Sequence, residues 1–177
     1  NSSLGKIRCY ENGAWKDCIG TVTASSVVER FPEFAGGVLT ADGSNNSGSI
    51  TSDYDASSRR NYYQWSTAQG TSQDYDAVVQ VQIPTEYASG IGGFSFWHND
   101  PDGAAANART TWTLLDNSGT SCFSSTFNGT TSGVWEQETA TAVGCSFAAG
   151  DTLTFRFKLE TTSAAGAIQL GEFEFSY

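Results

Sequence analysis

The chain has 177 residues, enough for one domain that buries its own hydrophobic core. Its 19 Asp and Glu against 9 Lys and Arg give a net charge of −10, which excludes nucleic-acid binding because phosphate contacts need clustered basic side chains. No apolar run approaches the roughly 20 residues that a membrane-spanning helix needs, so we also expect no membrane insertion.

The composition predicts an all-β fold. Aromatic residues make up 13% of the chain, and 19 glycines accompany only 3 prolines. Aromatic side chains are enriched in strands, and glycine and asparagine form the tight turns that join them. The sequence therefore favours many short strands with short connections.

The first element is a short hairpin bracketed by Cys9 and Cys18. A turn centred on Asn12-Gly13 would pair Cys9 with Lys16 and strain a disulfide between the two cysteines. A turn centred on Gly13-Ala14, or a four-residue loop, would place Cys9 opposite Cys18. We predict the second register and a Cys9–Cys18 disulfide.

An isolated two-stranded hairpin is marginally stable in water, and a disulfide stabilises it by restricting the unfolded chain. The Tyr10 and Trp15 rings are then left to pack against something else. That surface is either the body of the same subunit or another copy of the chain, and we expect a subunit contact. The predicted organisation is a hairpin at residues 1–20 and a sandwich domain at residues 21–177.

The body contains further strand patterns at short intervals. They begin at Asn61, Tyr75, Gly93, Thr110, Thr152 and Ile168. The strand from Thr152 alternates apolar and polar residues, which is typical of one buried and one wet face. In the last strand the apolar parity changes around Gly171, which predicts a β-bulge there. We predict a two-sheet antiparallel β-sandwich, jelly-roll-like, with an immunoglobulin-like sandwich as the alternative.

Cys122 and Cys145 form a second local pair, and none of the four cysteines has the spacing of a zinc site. We predict a Cys122–Cys145 disulfide. Disulfides form in oxidising compartments, so the expected location is extracellular or at the cell surface.

The stretch "GKIRCYENGAWKDCI", residues 5–19, resembles a short hairpin of phage tail-fibre-like proteins and of surface proteins of uncultivated bacteria. The blocks "FPEFAGGVLTADGSNNSGSITSDYD", "NYYQW" and "DYDAVVQVQIP" resemble the sandwich domains appended to such proteins. This resemblance implies an extracellular fibre or appendage component. It supplies no catalytic residues.

Two patterns have the residue types of a catalytic site. Glu172 and Glu174 lie two apart on a strand, about 7 Å along it, which is within the range used in glycoside hydrolysis. The same spacing is typical of the solvent face of an amphipathic strand, which we favour. His98 is the only histidine, and no G-x-S-x-G motif supplies a serine partner. We therefore predict that the protein is not an enzyme.

Aromatic residues suggest a surface for stacking sugars. The rings considered are those of Tyr54, Tyr62, Tyr63, Trp65, Trp97, Trp112 and Trp135. Trp97 and Trp112 lie inside strands and are predicted to be core residues. Tyr62 and Tyr63 have opposite parity, so one of them must face outward. Tyr62, Tyr63 and Trp65 are the candidate glycan contacts.

The segment "HNDPDG" offers oxygen ligands for calcium from Asn99, Asp100 and Asp102. The same residues form a good turn sequence, and the turn is the favoured interpretation. No other cofactor is predicted.

The leading functional hypothesis is a non-enzymatic structural subunit of an extracellular fibre or filament, assembled from copies of itself, with adhesion to surface glycans as a further role. The alternative is a lectin-like carbohydrate-binding module with a jelly-roll fold.

Overall fold

A computed structural model describes most of the chain. It covers residues 8–11, 13–17, 26–29, 38–40, 44–83, 85, 93–101, 107–128, 133–140, 144–164 and 166–176. For the strands before residue 44, and for residue 176, only the backbone is described. Within these ranges the chain forms thirteen strands and no helix, so no described helix could cross a membrane.

The strands form two large antiparallel sheets and one small one. The two-stranded sheet pairs β1 (Arg8–Glu11) with β2 (Ala14–Asp17). The five-stranded sheet has the order β10 (Ser121–Asn128), β9 (Ala108–Leu115), β12 (Thr152–Thr161), β7 (Gln73–Gln82) and β4 (Val38–Thr40). The six-stranded sheet has the order β11 (Glu136–Ala140), β8 (Gly93–Asn99), β13 (Ala167–Ser176), β6 (Arg60–Ser66) and β5 (Ser49–Asp55), and β3 (Ser26–Glu29) also pairs with β13. This arrangement confirms the all-β two-sheet sandwich.

The core lies between the two large sheets and is rich in phenylalanine. From β12, Leu153, Phe155, Phe157 and Leu159 are all buried, as their alternation predicts. Rings from the two sheets meet there, with Phe155 and Phe173 centroids 4.9 Å apart and those of Phe96 and Phe157 5.3 Å apart. Each sheet therefore buries one face, and its other face points away from the core.

The predicted bulge in β13 is confirmed. Leu170 pairs with His98, but the next paired residue, Phe173, lies opposite Phe96, so β13 has one residue more than β8 in this interval. The extra residue restores the inward direction of Phe173 and Phe175 after Leu170. It also places Gly171 at the bulge.

The predicted hairpin register is wrong. Cys9 pairs with Lys16, and Glu11 with Ala14, so two residues connect the strands and Gly13 is the second of them. Gly13 has a φ of 81°, the left-handed conformation that such loops need and that glycine adopts without strain. The turn chemistry of Asn-Gly therefore decides the register. Cys18 and the Cys9 sulfur lie outside the described part of the structure, so their disulfide stays a prediction.

The second disulfide is confirmed. Cys122, at the start of β10, is bonded to Cys145, in the segment that follows β11. The bond therefore ties β10, an edge strand of the five-stranded sheet, to the connection that runs from β11 to β12.

Removing this bond should lower stability. The two cysteines are 23 residues apart, and closing a loop of that length stabilises a fold by about 3 kcal/mol in the chain-entropy account. We expect the Cys122→Ser, Cys145→Ser double variant to unfold in urea with a free energy smaller by about 2–4 kcal/mol. Reductant should lower the stability of the natural chain by more than that of the variant. Equal unfolding midpoints for both proteins would contradict this expectation.

Candidate functional site

The face of the six-stranded sheet that points away from the core, called here the outer face, carries the main polar and aromatic cluster. In β8, Phe94, Phe96 and His98 point inward and are buried, so Trp97 between them points outward and is half-buried. The prediction of Trp97 as a core residue is therefore wrong, because its neighbours of the opposite parity fill the core. Trp112 is buried in the core, as predicted.

Three rings and one guanidinium form what we call the aromatic cluster: Arg60, Tyr62, Trp97 and Trp135. The Arg60 Cζ lies 3.9 Å from the Trp97 ring centroid and 5.4 Å from that of Trp135. The Tyr62 and Trp135 centroids are 5.7 Å apart, with their planes tilted by 56°. Cation–π and ring contacts therefore hold residues of β6, β8 and the segment before β11 together.

Gly171 lies directly beneath this cluster. A Cβ at position 171 would come 2.8 Å from Arg60 Cδ, 3.1 Å from Trp135 Cζ3 and 3.2 Å from Trp97 Cβ. These distances are shorter than ordinary carbon contacts, so the missing side chain lets the cluster lie flat on the sheet. The bulge thus supplies the space that the cluster occupies.

Asp55, at the end of β5, fixes Trp135. Its Oδ2 accepts a hydrogen bond from Trp135 Nε1 at 2.8 Å and one from Ser58 Oγ at 2.6 Å, and its Oδ1 accepts from Ser57 N and Oγ. Hydrogen bonds from Ser58, Ser57 and Trp135 hold the pKa of the Asp55 carboxyl well below its usual range. The turn between β5 and β6 is therefore tied to Trp135, 80 residues later in the sequence.

This anchor predicts a pH-dependent effect of Asp55→Asn. Because the pKa of Asp55 is depressed in the fold, its contribution to stability is present above the unfolded pKa of about 4 and is lost as the pH falls through the folded pKa. We expect the variant to be less stable than the natural protein at neutral pH, by an amount that shrinks below about pH 4. Urea unfolding at neutral pH and at a pH below about 4 measures this difference in stability, with Asp53→Asn on the same strand as the control. A deficit that is the same at both pH values would contradict the assignment.

Glu172 completes the cluster through an ion pair with Arg60. Glu174, the other glutamate considered for catalysis, is exposed on the same strand. One carboxylate is thus engaged with a guanidinium and the other faces solvent, which agrees with the interpretation of this strand as an amphipathic one.

A second group on the outer face, called here the amide row, consists of Gln64, Asn99 and Gln169. Gln169 lies opposite both Asn99 and Gln64 in the sheet. Asn99 Nδ2 donates to Gln169 Oε1, and Gln169 Nε2 donates to Gln64 Oε1, both at 2.8 Å. The row crosses three strands and spans about 10 Å, from the usual strand spacing.

The amide row is polarised. Asn99 is only 6% exposed, and its Oδ1 has no hydrogen-bond partner among the described residues. At the other end, the chain of donors leaves the Gln64 amide nitrogen as the terminal donor. The Asn99 end of the row is therefore closed to solvent, and the half-buried Gln64 is the end that a ligand can reach.

The predicted glycan contacts divide into one outer-face residue and two core-side residues. Tyr62 belongs to the aromatic cluster. Tyr63 packs against the core, and burial raises the pKa of its hydroxyl. Trp65 is 1% exposed, stacks on Tyr75 with centroids 5.2 Å apart and donates to the Gln73 carbonyl, so its prediction as a glycan contact is wrong. The apolar packing at this end of the core explains the burial.

The remaining chemical candidates are His98, the Asn99–Asp102 segment and one compact group of metal-ligand types among the described residues. His98 is buried with Nε2 3.4 Å from Glu138 Oε1. Asp100 is buried too, and Asp102 lies outside the described residues, so the calcium prediction stays untested. The described His, Cys, Asp and Glu side chains form one group compact enough for a metal, in which Asp116 joins Cys122 and Cys145. Its two sulfurs form the disulfide and are not thiolate ligands.

A small polar cleft lies at one end of the five-stranded sheet, away from the aromatic cluster. Its volume is about 90 Å³, and it is lined by Ser72, Asn107, Arg109, Glu160 and Thr162. Arg109 and Glu160 are paired with each other, and the hydrogen bond from Arg109 is the main cause that lowers the pKa of Glu160. A cleft of this size is too small for an oligosaccharide.

The amide row could not be identified from the sequence. Gln64 shares its parity with Tyr62, and Asn99 with Trp97, which is the one available signal. The partners are 70 and 105 residues apart along the chain, so only the strand order brings them together.

No family model matches the chain, and no curated protein matches its sequence significantly. Solved structures match in fold. The carbohydrate-binding module TmCBM61, solved in complex with β-1,4-galactotriose, is 12% identical with a TM-score of 0.56, over 82% of this chain and 90% of that one. The K3 adhesin domain of Lys-gingipain from Porphyromonas gingivalis w83 is 17% identical with a TM-score of 0.53, over 85% and 98% of the two chains.

A third match is the enzymatically active domain of tailspike protein 4 from bacteriophage CBA120. It is 12% identical with a TM-score of 0.54, over 79% of this chain but only 19% of the tailspike chain. At such identities these similarities show a shared β-sandwich fold.

Proposed function

We propose that this protein binds carbohydrate on the outer face of its six-stranded sheet and does not hydrolyse it. The observation that carries the proposal is the placement of the aromatic cluster and the polarised amide row on one face. Sugar rings present apolar C–H faces, which pack against aromatic rings, and hydroxyls, which both donate and accept hydrogen bonds. Binding sites commonly combine aromatic lining with a few placed polar groups in this way.

The amide row suits hydroxyl ligands in particular. The half-buried Gln64 ends the row with its amide nitrogen as a donor, and a sugar hydroxyl can accept a hydrogen bond from it. Asn99 and Gln169 hold the Gln64 amide in this orientation from below the surface.

The fixed geometry of Trp135 also favours binding. Asp55 and Arg60 hold its ring before any ligand arrives, so little side-chain entropy is lost on association. The similar fold of TmCBM61 also supports the proposal, because that module was solved in complex with β-1,4-galactotriose.

Binding without hydrolysis fits the acidic side chains of this face. Glycoside hydrolysis requires two carboxyl groups that flank the scissile bond. Glu172 is paired with Arg60, and Glu174 is an exposed strand residue. An extracellular location is part of the proposal, since the Cys122–Cys145 bond needs an oxidising compartment.

The fibre-subunit function stays a prediction. It depends on contacts of Tyr10 and Trp15, whose side chains lie outside the described residues.

Affinity electrophoresis tests the proposal. The protein is run through native gels that contain a neutral polysaccharide, namely β-1,4-galactan, xylan or laminarin. We expect retardation in at least one gel, and loss of most of that retardation in Tyr62→Ala. Tyr54→Ala is the matched control, because Tyr54 is 52% exposed on the same hairpin but has the opposite parity to Tyr62. No retardation in any gel, or equal retardation of both variants, would refute the proposed site.

A further inference from the structure

The outer face carries more negative than positive charge around the proposed site. Asp53 lies opposite Tyr62, and Asp55 lies opposite Arg60, so both carboxylates share the face of the aromatic cluster. Glu172 and Glu174 add two more carboxylates from β13.

The guanidinium of the cluster is already engaged. Arg60 is paired with Glu172, stacks on Trp97, and has a side chain only 12% exposed. A guanidinium is the usual partner of a carboxylate or sulfate ligand, and this one has its own carboxylate. Arg59, in the adjacent turn, is exposed and is the other cation of this hairpin, so the four carboxylates still outnumber the two cations.

The negative field acts on the ring that we place at the ligand. The pKa of Tyr62 is raised, first by burial and then by the charges of Asp53 and Asp55. A phenolate oxygen at this position is thus disfavoured by its neighbours. A ligand carboxylate or sulfate next to Tyr62 meets the same two charges.

We infer that this face selects neutral glycans and discriminates against uronic-acid and sulfated ones. The inference rests on the proposed function and assigns the ligand class of the same site. Aromatic packing and the amide row attract any sugar chain, whereas the surrounding carboxylates repel only the charged ones. Specificity then comes from a repulsive element beside an attractive one.

The test compares one polymer in two charge states. The neutral polysaccharide that retards the protein most is used as it is and after partial sulfation, and dissociation constants are measured by isothermal titration calorimetry. At low salt we expect the sulfated polymer to bind at least about tenfold more weakly. The difference should shrink at about 0.5 M NaCl, where exposed charges are screened beyond a few ångströms.

A charge variant separates repulsion from steric hindrance by the added groups. Glu174 lies opposite Ser95 and is not part of the amide row. Glu174→Lys should therefore strengthen binding of the sulfated polymer and leave binding of the neutral polymer unchanged. A deficit that responds to neither salt nor Glu174→Lys would overturn the inference.

The two levels of the proposal fail in different ways. Equal or tighter binding of the sulfated polymer would overturn the neutral-glycan selectivity and leave the sugar-binding function standing. Absence of binding to every neutral and sulfated polymer would refute both.

Discussion

Gly171→Val should strongly weaken glycan binding while the sandwich still folds. A Cβ alone at this position would lie too close to Arg60 and Trp135. The two further methyl groups of valine would push the aromatic cluster off the sheet. We expect affinity to fall at least about a hundredfold, or roughly 2.7 kcal/mol. The strain should lower stability by about 1–3 kcal/mol, typical of overpacking.

Calorimetric titration measures the loss, and far-UV circular dichroism checks the fold. The matched control is Gly70→Val, since a Cβ at Gly70 meets no atom within 4 Å. Gly171→Ala should give an intermediate loss, because Arg60 presents the flexible part of its side chain to the new methyl group. Unchanged affinity in Gly171→Val would show that the cluster takes no part in binding.

Trp135→Ala should weaken glycan binding by about 10- to 100-fold, the range expected for an aromatic residue at the centre of a binding site. The variant removes a ring that contacts Tyr62 and Arg60, and it leaves Asp55 without one of its donors. Trp135→Phe keeps an aromatic face but not the indole N–H, so it should retain part of the affinity. Tyr54→Ala, the control, should bind with full affinity. Full affinity in Trp135→Ala as well would contradict the proposed site.

The parts of the fold that follow from local alternation were predictable from the sequence. In β12 four apolar residues alternate with polar ones, so its buried face could be identified directly. The change of parity at Gly171 likewise predicted the bulge. In the N-terminal hairpin the Asn-Gly turn signal predicts the observed register, whereas a register chosen to place Cys9 opposite Cys18 does not.

The site was less predictable, because parity does not tell which of two faces is covered. A position inside a strand suggests that Trp97 is a core residue, but the alternation of the buried Phe94, Phe96 and His98 places Trp97 on the other face. Trp65 has the same parity as Tyr63, but only the partner strand β13 shows that this parity faces inward.

Long-range pairs were beyond the reach of sequence patterns. The Trp135–Asp55 bond joins residues 80 apart, and the amide row joins three strands that are not consecutive. Such contacts depend on the order of strands in the sheet, which a single sequence specifies only through the packing of the whole core. Alternation required that either Tyr62 or Tyr63 face outward, and the order of the strands shows that it is Tyr62.

The most direct test of the sugar-binding face is a nuclear magnetic resonance titration of ¹⁵N-labelled protein with an oligosaccharide of the neutral polymer that retards it. We predict shifts of the Trp135 indole N–H and of the Gln64 and Gln169 side-chain amides, with the indole signals of the buried Trp65 and Trp112 unchanged. Shifts confined to the outer face of the five-stranded sheet, around Thr111 and Thr126, would contradict the account.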